Sequence, residues 1–263
     1  MKLLQVTEGE QLLRKLLKIL LLVGGIAVLL ETSFHVIVAP QLRLQKIYVT
    51  GDDRGLSTPQ LLALLGIPAR SYYFSLSDKA LEARLETVPW ILKATVAKEF
   101  PDALKINITA RDPLALALDD SSGRTVILSV DAQGVIFDVS SQDQRRNLPI
   151  ISGVRFQTLQ PGAVFPPALH SLFSSLAELR KDSPGLYSQI SEIRVRKTEG
   201  GSFETLIYPV EGDVRMILPE RWTQALLKQA FVLLDVIQKQ GWTAKTKEID
   251  LRTSPVVVRP RES

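Results

Sequence analysis

Apolar and polar residues alternate in two neighbouring stretches of the chain, residues 92–97 and residues 104–110. In the second stretch every other side chain is apolar and those between are polar or charged, which is the period of two expected of a strand with one solvated face. Between the stretches stand Phe100, Pro101 and Asp102. Proline fixes its φ angle and aspartate can bond its own backbone, so this sequence is typical of a tight turn. The pattern predicts a β-hairpin.

Upstream of the hairpin, the pattern predicts one strand and two helices. Alternation over residues 44–50 indicates the strand. The first helix has clear start and stop signals, with Thr58 as its cap, a proline at its first position and Gly66 beyond its last turn. A second helix is predicted at residues 78–87. Residues 44–112 therefore have the order strand, helix, helix, strand, strand and form the first predicted domain.

The longest apolar run lies near the start of the chain, at residues 19–39. Its length matches the roughly 20 residues of a membrane-spanning helix, although Glu31 and His35 interrupt it. Basic residues precede the run, so we predict a cytoplasmic tail at residues 1–18, one transmembrane helix and an extracytoplasmic remainder. A cleaved signal peptide is the alternative, but residues 37–39 lack a good cleavage pattern.

The remainder of the chain is rich in predicted strands separated by turns. Two amphipathic helices are predicted within it, at residues 167–181 and 220–239. Residues 113–259 are therefore expected to form a β-rich second domain with two or more helices, followed by a short tail at residues 260–263. The predicted fold class is α+β.

Composition narrows the chemistry more than the fold. The chain contains no cysteine, which excludes disulfides, thiolate catalysis and cysteine-ligated metal sites. Its two histidines, His35 and His170, lie far apart and lack the spacing of a metal site or a catalytic triad. The net charge of +4 is too small to indicate nucleic-acid binding. We therefore assign no catalytic, cofactor-binding or metal-binding residue.

The hairpin and its flanks resemble the end of the POTRA domain in the FtsQ/DivIB family of bacterial cell-division proteins. The residues that carry this likeness are, in order, Pro89, Trp90, Ala94, Val96, Lys98, Phe100, Pro101, Ile106, Ile108, Arg111 and Pro113. One departure is Ala110, since the family usually has glutamate before the arginine. Weaker likenesses to the family's β-rich domain follow at residues 130–137, 148–153 and 248–252.

The resemblance implies a non-enzymatic, single-span protein of the bacterial divisome. Such a protein links early and late division proteins and septal wall synthesis through contacts outside the cytoplasm. The implied partners are small single-span coiled-coil proteins of the FtsB and FtsL kind. The implied location is the cytoplasmic (inner) membrane at the division septum, with the amino terminus in the cytoplasm.

Two other functions remain open from the sequence. One is a POTRA-bearing scaffold for secretion or envelope assembly, a role that normally accompanies a barrel or several POTRA units. The other is a membrane-anchored wall hydrolase, which would need a nucleophile, a metal cluster or a carboxylate pair. Aspartates 119, 120 and 131 stand in predicted turns, where aspartate is common for backbone reasons.

The end of the chain carries the predicted partner-binding segment. A run of valines after Pro255 suits an edge strand, and an edge strand leaves unpaired backbone groups that a partner strand can use. Family resemblance points to the same place, because a partner of the FtsB kind is held at the end of the β-rich domain. The predicted contact residues are Ile249, Leu251, Arg252, Val256, Val257, Val258 and Arg259.

Overall fold

The structure is a computed structural model that describes residues 8–34, 36, 42–68, 71–119, 126–139, 148–154 and 160–261. The chain forms two compact units. The first comprises Met1–Glu86 and Lys93–Thr109, and the second comprises Thr87–Leu92 and Ala110–Ser263. The predicted α+β class is confirmed, because a small mixed unit precedes a larger β-rich one.

The chain begins with helix α1, Glu8–Ser33. Its apolar side chains from Leu13 to Leu30 are exposed. Within the described residues, we find no helix whose length and apolar character suffice to cross a membrane. The predicted transmembrane helix at residues 19–39 is therefore not confirmed, and its last three residues lie outside the described ranges.

The first unit contains the order of elements predicted for it: strand β1 (Lys46–Gly51), helices α2 (Thr58–Leu65) and α3 (Asp78–Glu86), and strands β2 (Ile91–Glu99) and β3 (Ala103–Ala110). The sheet order is β1-β3-β2, and β1 runs parallel to β3. Its buried residues come from both helices and from the sheet. They include Leu61, Leu65, Leu81, Leu85, Ala94, Val96, Leu104, Ile106 and Ile108.

Helix α2 starts and stops at residues whose chemistry explains both ends. Ser57, rather than the predicted Thr58, is the cap, and its backbone N–H donates to the side chain of Gln60 at 2.9 Å. Gly66 ends the helix at φ 59°, a left-handed conformation that glycine adopts without strain. Arg84 of α3 donates to the carbonyl of Leu65 at 2.7 Å, which ties the two helices together.

The outer edge of strand β2 is closed by two glutamates of helix α3. Glu86 accepts from the N–H of Ala94 at 3.2 Å, and Glu82 accepts from the N–H of Val96 at 2.9 Å. The two acceptors are four residues apart on one helix face, and the two donors are two residues apart on one side of a strand. These edge amides are therefore paired within the unit and unavailable to another strand.

The second unit is built on a nine-stranded mixed sheet with the order β12-β11-β10-β9-β8-β7-β4-β5-β6. The strands are β4 (Ala115–Asp119), β5 (Val126–Val130), β6 (Ile136–Val139), β7 (Ile150–Ser152), β8 (Ile190–Lys197), β9 (Phe203–Pro209), β10 (Arg215–Leu218), β11 (Thr246–Asp250) and β12 (Val257–Pro260). The helices are α4 (His170–Asp182), α5 (Pro184–Tyr187) and α6 (Gln224–Lys239).

Helices α4 and α6 supply one side of the core of this unit, and one face of the sheet supplies the other. Phe165 and Phe173 meet edge to face at 5.1 Å between ring centroids, which is a favourable aromatic geometry. The strands contribute alternate residues, as the period of two requires. Among them are Ile193, Val195, Ile207, Met216, Leu218 and Ile249.

Tyr187 makes a buried hydrogen bond that should make the protein less stable to unfolding at alkaline pH. Its hydroxyl donates to the carbonyl of Leu114, and burial raises the pKa of Tyr187 to about 12 from 10.0. Because the folded pKa lies above the unfolded one, the stabilising effect is complete below about pH 10 and is lost as the pH rises through 12. We expect the urea midpoint to fall over that window.

The matched variant is Tyr187→Phe, which removes the ionisable group and keeps the ring. It should flatten the pH dependence between 10 and 12 and lower the free energy of unfolding at neutral pH by about 1–3 kcal/mol, because the carbonyl of Leu114 loses its donor. An unchanged alkaline slope in this variant would show that another group controls the transition.

Candidate partner-binding edge of the large sheet

Strand β12 is the last strand at one edge of the nine-stranded sheet. It pairs antiparallel with β11, so that Val258 stands opposite Ile249 and Arg259 stands opposite Glu248. All four residues of β12 are exposed, including Val257 and Val258 at 43% each. The strand therefore presents short apolar side chains beside an edge with no further strand among the described residues.

The direction of the peptide groups decides which atoms of β12 a partner could use. The N–H of Arg261 donates to the carbonyl of Lys245 at 2.8 Å, so Arg261 faces β11. Backbone groups alternate in direction along an extended strand, which makes Arg259 and Val257 face β11 as well. Val258 lies between them and directs its N–H and C=O away from the sheet. Pro260 is the next outward residue, and it offers only a carbonyl.

The opposite edge of the same sheet is covered at Ile136. The N–H of Ile136 in β6 donates to Ala163 at 2.8 Å, and the carbonyl of Ile136 accepts from Gly162 at 2.7 Å. A further bridge joins Val135 to Val164. This loop satisfies the backbone of β6 at Ile136 in the way that an additional strand would, whereas β12 has no such cover within the described residues.

The face of the sheet opposite the helices carries buried carboxylates held by arginines. Glu204 in β9 and Glu248 and Asp250 in β11 are buried, although each is a charged residue. Each accepts from at least one guanidinium, as buried charges require. The pairs are Arg252 with Asp250 at 2.6 Å and with Glu204 at 2.5 Å, Arg259 with Asp250 at 2.9 Å and with Glu248 at 3.2 Å, Arg215 with Glu248 at 2.6 Å, and Arg196 with Glu204.

The network links the edge strand to the strands behind it. Arg259 of β12 reaches two carboxylates of β11, and Arg252, just beyond β11, reaches Glu204 of β9. Counted together, four arginines meet three carboxylates, which leaves one positive charge in the network. Arg196 and Arg259 are half exposed, so part of that charge faces solvent.

Asp250 should set an acid limit to the stability of this edge. Hydrogen bonds from Arg252, with Arg259 nearby, hold the pKa of Asp250 below its ordinary value of 3.8. A lowered folded pKa stabilises the fold at all pH values above the unfolded pKa and ceases to do so as the pH falls through the folded one. We expect the urea concentration at the unfolding midpoint to decrease when the pH is lowered below about 4. The decrease should be smaller in Asp250→Asn, which is also less stable at pH 7. An equal acid slope in both proteins would contradict the assignment.

The structure separates the predicted contact residues into three groups, which are core residues, a residue of the ionic network and the exposed edge. Ile249 and Leu251 are buried in the core of the second unit, so their side chains are not available to a partner. They alternate with Asp250, and only one of the two faces of β11 points away from the helices. Val256 is half buried against the same core. Arg252 lies in the ionic network, and Val257, Val258 and Arg259 form the exposed edge.

Sequence reasoning missed the residues that complete the network. These are Glu204, Glu248, Asp250, Arg196 and Arg215. Alternation of charged with apolar residues in their strands was visible in the sequence, but which strands are neighbours was not. The described residues contain no group of three or more potential ligands positioned to hold a metal ion.

Comparisons with known proteins place the chain. Residues 42–111 match the model of the FtsQ-type POTRA domain. Cell division protein FtsQ of Anaeromyxobacter is 28% identical over 81% of this chain and 69% of its own length. FtsQ of Syntrophotalea carbinolica is 32% identical over 46% of this chain and 40% of its own. Cell division protein DivIB of Brevibacillus brevis is 25% identical over 73% of this chain and 69% of its own.

These matches support the FtsQ/DivIB family, and residues 42–111 match an FtsQ-type POTRA domain, as the hairpin motif had predicted. The matched range of 42–111 corresponds to strand β1 through strand β3. The alignment with the Anaeromyxobacter FtsQ covers most of the chain and so extends beyond the POTRA domain.

Proposed function

We propose that this FtsQ/DivIB-family chain is a non-enzymatic connector of the divisome, which binds a partner by adding the partner's strand to β12. The observation that carries the proposal is the open edge at Val258 in a sheet whose other edge is covered at Ile136. An unpaired edge is either blunted or used for strand addition. Val257 and Val258 do not block pairing at this edge, because they carry no charge and the N–H of Val258 still points outward.

The charge of the adjoining face favours an acidic partner strand. Arg259 flanks the edge, and it shares its two carboxylates with Arg215 and Arg252. An acidic side chain on the added strand would balance the surplus positive charge. Each exposed ion pair of this kind contributes about 0–1 kcal/mol. Charge would therefore contribute more to the specificity of binding than to its affinity.

Small coiled-coil proteins of the FtsB and FtsL kind are the partners that we propose, on the strength of the family resemblance. The link between early and late division proteins, and from them to septal wall synthesis, follows from the same resemblance. A fluorescent fusion of the whole chain in dividing cells should form bands at midcell. Even labelling of the cell outline would contradict a role in the divisome.

We propose further that the amino-terminal helix attaches the protein to the cytoplasmic membrane, with the larger part of the chain outside the cytoplasm. The support is the set of exposed apolar side chains on α1 and the basic residues Arg14, Lys15 and Lys18 near its start. Membranes from cells that express the chain should retain it in carbonate washes, and protease added to spheroplasts should digest residues beyond 44. Full protection of those residues would contradict this orientation.

The two other functions make distinguishable predictions. A wall hydrolase should release fragments from purified peptidoglycan, and an aspartate variant should abolish the release. Asp131 offers no support for that activity, because it is buried, bound by Arg111, and accepts from the N–H groups of Gln133 and Val135 at 2.9 and 2.8 Å. If the protein is a secretion scaffold, its depletion should impair envelope assembly rather than septation.

A further inference from the structure

Three exposed aromatic residues gather at one end of the first unit. We call Tyr72, Phe74 and Phe100 the aromatic end. Phe74 is 67% exposed and Phe100 is 71% exposed, which is unusual for phenylalanine in a folded domain. They come from distant parts of the sequence, since Tyr72 and Phe74 precede α3 and Phe100 lies in the turn between β2 and β3.

The aromatic end is held in place by the residue beneath it. Tyr73 is buried, and its ring meets Phe74 edge to face at 5.2 Å and Phe100 edge to face at 6.0 Å. The ammonium of Lys98 lies 5.3 Å from the centre of the Tyr73 ring. Exposed phenylalanine rings are thus fixed to a packed base, as expected of a binding surface.

Cations surround these rings. The guanidinium of Arg43 lies over Tyr72 at 5.9 Å, and Lys46 begins strand β1 opposite Ala103, three residues after Phe100. Carboxylates lie near both lysines, since Lys46 is 3.4 Å from Asp102 and Lys98 is 3.8 Å from Asp78. The surface therefore combines exposed aromatic rings with a small net charge.

The aromatic end is also the end at which the chain enters the unit. Strand β1 starts opposite Ala103, just after the turn that holds Phe100, and Arg43 pairs with Tyr72. Nine residues lie between the end of α1 at Ser33 and Arg43, and the ten steps from Ser33 to Arg43 span at most about 35 Å. A membrane that holds α1 therefore lies within reach of these rings.

We infer that the aromatic end inserts into the interface of the lipid bilayer to which α1 attaches the chain. Aromatic rings with neighbouring lysine and arginine are the combination that settles at a membrane interface. Because carboxylates lie near both lysines, insertion depends on the rings more than on anionic lipid. The inference rests on the proposed attachment of α1 to the membrane, and it assigns a second contact with the same membrane to the POTRA domain.

The absence of cysteine from the chain allows a direct test on the full-length protein. Phe100→Cys is labelled with the environment-sensitive dye NBD and reconstituted into vesicles of zwitterionic lipid with a minority of anionic lipid. The matched control is Thr109→Cys, which is exposed at the opposite end of the same sheet. Phe74→Cys provides a second labelled position in the aromatic end.

We expect the dye at positions 100 and 74 to emit at shorter wavelength in vesicles than in detergent-free buffer, and to be quenched by lipids that carry a spin label near the headgroup. The dye at position 109 should show neither change. The shift should persist in high salt, because ring insertion is not screened.

Flotation of the vesicles separates the possible failures. If the protein does not float with the vesicles, the proposed membrane attachment fails and the inference fails with it. If it floats and the dye at position 100 behaves like the dye at position 109, only the inference is overturned. A shift that grows with the ratio of protein to lipid would assign the aromatic end to a second copy of the chain, which also overturns it.

Discussion

Replacing Trp222 by alanine is expected to lower the free energy of unfolding of the second unit by about 3–5 kcal/mol, the usual cost of truncating a large buried aromatic residue. Trp222 is 5% exposed and belongs to the core formed by α4, α6 and the large sheet. Thermal and urea unfolding, followed by near-ultraviolet circular dichroism, would measure the change.

The chain contains its own control for this substitution. Trp242 is 54% exposed, so Trp242→Ala makes the same chemical change at the surface of the same unit and should cost less than about 1 kcal/mol. Equal losses in the two variants would show that Trp222 does not pack as described.

A gentler variant should reveal a second property of Trp222. Its indole N–H is buried and makes no hydrogen bond to any residue that the structure describes. A buried donor without a partner costs about 1–3 kcal/mol, so Trp222→Phe removes an unfavourable group together with part of the ring. We expect its cost to fall well below that of Trp222→Ala.

Replacing Val258 by proline is expected to weaken binding of the proposed FtsB-type partner at least tenfold, which is about 1.4 kcal/mol, while leaving the unfolding midpoint of the protein unchanged. Proline removes the outward N–H and places a ring where the added strand would lie. Edge strands tolerate proline when its N–H would have faced solvent. Pull-down and calorimetric titration with the partner's extracytoplasmic segment would measure the affinity.

Two neighbouring variants make the test specific to the backbone. Val257→Pro removes an N–H that faces β11, so it should lower the unfolding midpoint and lose binding as a consequence. Val258→Thr keeps the outward N–H and the branched shape, so it should bind as the unsubstituted protein does. Normal partner binding by Val258→Pro would contradict strand addition and leave β12 a structural strand.

Local sequence signals predicted the elements of the first unit well. The hairpin, the proline-led start of α2 and the glycine at its end depend on dihedral preferences and on alternation within a few residues. The cap moved by only one residue, from Thr58 to Ser57, because Gln60 pairs with the earlier backbone N–H. Such features are determined by residues that lie within a few positions of them in the sequence.

The large sheet was less predictable, because its order depends on pairings between distant segments. β10 lies parallel to β11 across helix α6, and β4 lies parallel to β7. Neither pairing leaves a mark in either strand alone, so the ion pair between Arg215 of β10 and Glu248 of β11 could not be foreseen. The period of two in β11 did contain the fact that Ile249 and Asp250 face opposite sides, and this fact separates the core residues from the edge residues in the predicted contact set.

The difference between the two edges of the large sheet limits how many strands other chains can add to it. Within the described part of the large sheet, β12 is an edge that no other segment covers, whereas β6 is covered at Ile136, so a partner strand added at β12 would occupy that edge. Fibres need a donor edge and an acceptor edge on every unit, so stacking through the described edges of the large sheet would end after a single addition. Two copies that met through β12 would form a closed pair. The β12 edges of both copies would then be unavailable to other proteins.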